Sequence, residues 1–225
     1  MTTSFPDHPD FTGFNEPMRM ECDIYDLVIE GEVPEEINGS WYRSVPDPQY
    51  PPLLGFDTQI SGDGMVSLFR FEKGHVDFKM RYVMTERLKD DRAARRSLHG
   101  RYRNPFTDDP SVRGRPRGAA NTTPVSHGGR LFALKEDSRA MELDPVTLET
   151  LGEYDYGGKL RSQTMTAHPR WDPETDELHF FGYEASGLAT RDVAVCKADA
   201  EGRLVREEWF EGPFCALMHD FAATK

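Results

Sequence analysis

Residues 62–86 read GDGMVSLFRFEKGHVDFKMRYVMTE. Two runs, MVSLFRF and VDFKMRYVM, flank the glycine turn EKGH at 72–75. Both runs are rich in Val, Phe, Tyr and Leu and partly alternate apolar with polar residues, the two-residue period of a half-buried strand. Strand, tight turn, strand is the signature of a hairpin. The same punctuation recurs outward from it: INGS at 37–40, SGDG at 61–64, SHGGR at 126–130, LDPVT at 143–147, YGGK at 156–159, WDPETDE at 171–177 and DAEGR at 199–203. Strand-like runs such as RLFALKE and ELHFFGYE lie between them. Short strands separated by turns every ten or so residues indicate an antiparallel, all-β chain. LDPVTLETLG and WDPETDELHFFG share an Asp-Pro-x-Thr turn, and such repeated hairpins suggest propeller blades that bury their faces against one another.

The composition narrows the class. The chain has 225 residues, 37% of them hydrophobic and 29% charged, with a formal net charge of −12. That charge opposes nucleic acid or an anionic membrane as a main partner. Cys22, Cys196 and Cys215 are odd in number and lack CxxC spacing, which predicts reduced thiols in a cytoplasmic setting. No window reaches the length of an apolar membrane span, and the first forty residues lack the basic and apolar regions of a signal peptide.

Two segments depart from the hairpin pattern. Residues 1–35 read as an extended arm that reaches the first strand, ahead of a β domain over 36–225. Residues 85–118 begin as a short helix and continue as an arginine-rich loop interleaved with Asp90, Asp91, Asp108 and Asp109. The acids predict ion pairing within a solvated loop, and a long connection in a β domain is also a plausible active-site cover.

Of seven histidines, His8, His75 and His127 sit in turns, and His179 alternates within a strand. His168, in QTMTAHPRWDP, ends an uncharged run just before a turn, and His219, in PFCALMHDFAATK, is flanked by Leu217, Met218 and Phe221. An imidazole on a buried strand needs a partner, and a metal is one candidate. No nucleotide-binding, serine-hydrolase or HExxH motif is present, and SGDGMV leads into a strand where a phosphate site would need a helix.

The blocks EGEVPEEINGSWYR, GDGMVSLFRFEKGHVDFKMRYVMTE, ANTTPVSHGGRLFALKEDS, ELDPVTLETLG, TAHPRWDPETDEL and MHDFAAT, in this order, resemble the carotenoid cleavage oxygenases. GRYRNPFTDDPSV and ALKEDS are similar to the lignostilbene dioxygenase branch of that family. The resemblance implies a seven-bladed β-propeller with Fe(II) held on its axis by four histidines. His168 and His219 match two of these ligands, and the other two lie further along in the family. The chain is therefore expected to be roughly the N-terminal half of the propeller. By the same resemblance Glu136 is a carboxylate that orients a ligand from behind, while Tyr102 and Lys135 bind the 4-hydroxyl of the substrate ring. Taken alone, these three read as a strand-end carboxylate, a loop aromatic and a surface lysine.

The implied reaction is cleavage of the central C=C of a 4-hydroxystilbene by O2 into two aromatic aldehydes. A buried Lys135 would accept the phenol proton, since desolvation disfavours an ammonium. The branch often carries an aromatic residue just before its GDG block. Gln59, Ile60 and Ser61 stand there instead, which keeps an apocarotenoid or a phenylpropenoid open as substrate. A non-catalytic propeller fragment is the alternative of another class, and a homodimer is the expected assembly of a full-length form.

Overall fold

The computed structural model describes residues 4–224. Its strands are β1 (Cys22–Ile24), β2 (Gly39–Pro46), β3 (Gly64–Glu72), β4 (His75–Tyr82), β5 (Thr123–His127), β6 (Arg130–Leu134), β7 (Met141–Leu143), β8 (Thr150–Glu153), β9 (Arg170–Trp171), β10 (Leu178–Tyr183), β11 (Asp192–Ala198) and β12 (Leu204–Glu211). They form three four-stranded antiparallel sheets, ordered β1-β4-β3-β2, β5-β6-β7-β8 and β12-β11-β10-β9. The hairpin read from residues 62–86 is β3–β4, paired from Met65↔Tyr82 to Glu72↔His75. Its two loop residues, Lys73 and Gly74, have φ of 51° and 81°, the left-handed pair that matches strand twist in a two-residue hairpin. Gly128 and Gly129 do the same between β5 and β6, at 54° and 74°.

The sheets pack face to face in chain order, and β6 shows how. Every residue from Leu131 to Leu134 is buried. Leu131 and Ala133 join Val66, Leu68 and Leu143 in the core between the first and second sheets. Phe132 and Leu134 join Leu178, Phe180, Ala194 and Cys196 in the core between the second and third. Successive side chains of a strand point to opposite faces, so a strand with both faces covered loses its polar alternation. The first sheet meets the segment leading into β5 through a close backbone approach. A Cβ on Gly64 would lie 2.3 Å from the carbonyl oxygen of Ala120. Gly64→Ala is therefore expected to destabilise the fold by about 1–3 kcal/mol through overpacking, read as a lowered denaturation midpoint.

Residues 85–118 start as a helix and carry the ion pairs read from them, but they are not simply solvated: Asp91 and Asp108 are buried, along with Leu98 and His99. Helix α1 (Glu86–Ala94) is capped by Thr85, whose hydroxyl accepts from the Leu88 N–H at 3.2 Å. The arginines that follow find acids: Arg96 pairs with Asp109, Arg115 with Asp90, and Arg117 with Asp108. The arm contributes β1, which extends the first sheet beside β4. Among the described residues, no helix is long and apolar enough to cross a membrane.

One local expectation is corrected. His219 is not on a buried strand. Residues 213–224 form no strand, because no neighbouring segment among the described residues pairs with their backbone. His168 likewise sits in a bend just ahead of β9.

Candidate metal and substrate site

The two histidines meet despite a separation of 51 residues, with Nε2 3.0 Å from Nε2. Their rings lie 4.6 Å apart between centroids and are inclined at 72°. Arg170, two residues after His168, is what joins the two segments. Its guanidinium donates to both oxygens of Asp220 at 2.8 Å and, through Nε, to the Phe221 carbonyl at 3.0 Å. Met218 and Phe221 pack against Phe181, Tyr183 and Val193, which anchors the segment on the third sheet. His219 lies between these two anchors, and its side chain is 57% exposed.

Behind His219 stands Glu136, in the turn that follows β6. Its Oε1 lies 3.2 Å from His219 Nδ1. A carboxylate at that distance accepts a hydrogen bond from Nδ1–H, the tautomer that leaves the Nε2 lone pair outward, toward His168. Burial pushes the Glu136 carboxyl up, but its own backbone N–H, Lys135 and His219 outweigh that and hold it below its ordinary value. It is therefore ionised and able to accept.

Tyr102 comes from the long loop, and its hydroxyl donates to the same Glu136 Oε1 at 3.4 Å. Burial raises the Tyr102 phenol well above its ordinary value, with Asp137 and Glu136 adding to the effect, so it stays protonated. The next residue, Arg103, has a left-handed backbone at φ 56°. It donates to the Tyr183 hydroxyl at 2.6 Å and to Glu184 at 2.7 Å, pinning the loop to the end of β10.

Lys135 is 4% exposed, not a surface lysine. Its Nζ lies 4.7 Å from the centre of the Tyr102 ring. Burial pushes its pKa down, against the pull of Asp137 and Glu136. Asp137, beside them, is driven up by burial. Ile60, on the opposing turn, is 54% exposed.

All five residues singled out from the sequence thus gather at one place: His168, His219, Glu136, Tyr102 and Lys135. Sequence reasoning passed over Asn121, whose amide touches both Lys135 and the turn carrying Ile60. Its only signal was its place inside the block ANTTPVSHGGRLFALKEDS. The donor set suits a borderline transition metal, since neutral imidazole nitrogens bind iron, zinc, copper and nickel alike. Two nitrogens each about 2.0–2.1 Å from one cation would stand about 3 Å apart at a right-angled pair of positions. The observed Nε2 separation of 3.0 Å fits that. Among the described residues, no group of three or more His, Cys, Asp or Glu could hold a metal, so this chain presents a pair.

Arg170→Ala should release Asp220 and let the two imidazoles separate. Metal affinity is expected to fall about 10–100-fold, the usual cost of losing an orienting residue, as measured by competition with a chelator.

Known proteins carry the same arrangement of chain. The sequence is 52% identical to isoeugenol monooxygenase of Pseudomonas nitroreducens over 217 residues, 96% of this chain and 45% of that protein. It superimposes on the crystal structure of Pseudomonas brassicacearum lignostilbene dioxygenase with a TM-score of 0.95 at 47% identity, over 99% of this chain and 46% of that one. Cobalt-substituted Synechocystis ACO aligns with a TM-score of 0.78 at 29% identity, over 92% of this chain and 46% of that one. The chain spans about half the length of the curated relatives it matches. The model of the family described as RPE65, retinal pigment epithelial membrane protein, matches residues 15–225. With that match running through the site from the turn at Ile60 to His219, the chain belongs to the RPE65, or carotenoid oxygenase, family.

Proposed function

We propose that this chain is part of a non-haem Fe(II) dioxygenase that splits the alkene of a 4-hydroxylated aromatic substrate with O2, giving two aldehydes. The observation that carries the reading is the continuous contact from His168 through His219 and Glu136 to Tyr102, with buried Lys135 beside the Tyr102 ring. His168 and His219 hold the iron, and the remaining ligands come from outside residues 4–224, on a propeller of seven blades. Bound iron supplies the centre at which O2 is activated.

The protein's own residues do the rest. Glu136 keeps the His219 ring oriented and its Nε2 free to bind. Tyr102 donates a hydrogen bond to the substrate oxygen, and Lys135 takes the phenol proton. The phenolate then pushes electron density into the conjugated alkene. The balance is simple: one alkene and one O2 yield two carbonyl compounds, and the proton on Lys135 returns to the phenolate product.

The substrate is a hydroxystilbene or a smaller hydroxyphenylpropenoid. Ile60 favours the smaller one, because an aliphatic side chain packs on a ring but cannot stack with it, and the isoeugenol enzyme is the relative with 52% identity. Stoichiometric iron in the full-length protein, with aldehydes from 4-hydroxystilbene or isoeugenol and none from a non-phenolic carotenoid, is the expected result. An iron-loaded protein that leaves every phenolic alkene intact, or that cleaves a carotenoid in preference, refutes it.

A further inference from the structure

Asn121 is 4% exposed and lies between β5 and Ala120, whose backbone is left-handed at φ 50°. All of its amide's hydrogen-bonding capacity is used. Nδ2 donates to the carbonyl of Ile60 at 2.8 Å and to that of Gly62 at 2.7 Å. Oδ1 accepts from Lys135 Nζ at 3.2 Å and from the Thr122 hydroxyl at 3.0 Å. The reverse orientation would turn the NH2 toward Lys135 and the oxygen toward two carbonyls, so the contacts allow one orientation only. Lys135 Nζ donates a second time, to Ile60 O at 3.4 Å.

An amine that accepts a proton must be neutral, with two hydrogens and one lone pair. Two carbonyl-type oxygens, from Asn121 and Ile60, receive the two hydrogens. Tetrahedral geometry then turns the lone pair away from both. We propose that Asn121 is a positioning residue, holding Lys135 so that its lone pair faces the substrate's phenol while adding no charge beside the amine. This rests on the reading of Lys135 as proton acceptor given above.

The absence of charge is the decisive property. Glu136 and Asp137, on the same turn as Lys135, favour the ammonium. Burial and Arg87 of α1 oppose it, while the face of the Tyr102 ring, 4.7 Å from Nζ, also favours the cation. A carboxylate at position 121 would add a third acid to the first group and tip the amine toward its charged form.

The test uses the full-length, metal-loaded enzyme, with metal content checked in every variant. The acid limb of kcat/KM for a 4-hydroxystilbene reports protonation of Lys135. Asn121→Asp is expected to move that limb to higher pH by about one unit or more, lowering kcat/KM on the limb about tenfold or more. Asn121→Ala removes an acceptor that also favours the ammonium. It is expected to move the limb the other way, to lower pH, while reducing kcat/KM at the plateau. Anaerobic titration of the bound phenol, followed by phenolate absorbance, should show the same opposed shifts without turnover. Limbs that stay in place, or move in the same direction in both variants, overturn the proposal. If Asn121→Asp does not fold, the Asn121→Ala shift alone decides. Lys135→Met separates the two levels: if it keeps the wild-type limb and rate, the reading of Lys135 itself is wrong, whereas a lost limb there with unmoved limbs at Asn121 refutes only the role of Asn121.

Discussion

His219→Ala and His168→Ala, made separately in the full-length protein, are each expected, on the function proposed above, to strip it of its metal and abolish alkene cleavage. The two Nε2 atoms face each other at 3.0 Å, and nothing else among the described residues forms a cluster able to substitute. Losing an orienting neighbour weakens a metal site about 10–100-fold, so losing a ligand should cost at least roughly a hundredfold in affinity. Metal analysis after dialysis reads this directly. Glu136→Gln supplies the graded comparison: its amide can still accept from Nδ1 through one oxygen but carries no charge, so metal should be retained more weakly. Wild-type metal content in either histidine variant would remove the pair from the site.

Lys135→Met should leave metal content unchanged and lower kcat/KM for a 4-hydroxystilbene by about 10²–10⁴-fold, the range of general acid–base catalysis. Turnover of the 4-methoxy analogue, which has no proton to give, should hardly change. The preference for the free phenol would then vanish, and a structural disturbance would not produce that selectivity change. The pH sign follows from burial. Lys135 is held below the ordinary lysine value of 10.5, chiefly by desolvation. Its neutral fraction grows as pH rises through that lowered value, so activity rises with it. In Lys135→Met the rise disappears.

Much of the architecture was legible because hairpins are local. EKGH, SHGGR and the Asp-Pro-x-Thr turns are complete within a few residues, and each stands where the structure turns. Asp144, for instance, accepts from the Val146 and Thr147 N–H groups in its own turn. The pairing of arginines with acids in 85–118 was readable for the same reason, since opposite charges alternate along one stretch. His219 was misread because apolar neighbours suggest a strand, whereas Met218 and Phe221 bury themselves on the third sheet without any backbone pairing. Gathering the five site residues needed the block resemblance, as no spacing rule links positions 102, 135, 136, 168 and 219. Asn121 lay inside one of those blocks, but nothing in the block singled it out. Its bonds reach residues 61, 59 and 14 positions away, and a polar residue between strands leaves no periodic trace.

The turn after β6 places Lys135 and Glu136 side by side in the chain. On the roles proposed for them, one grips the ring's oxygen and the other steadies a metal ligand. Neighbouring residues at the end of a strand packed on both faces cannot slide relative to each other, so their separation acts as a fixed ruler. The enzyme would then select the carbon–carbon bond by its reach from the hydroxyl, and inserting one saturated carbon between ring and alkene would carry that bond past the mark.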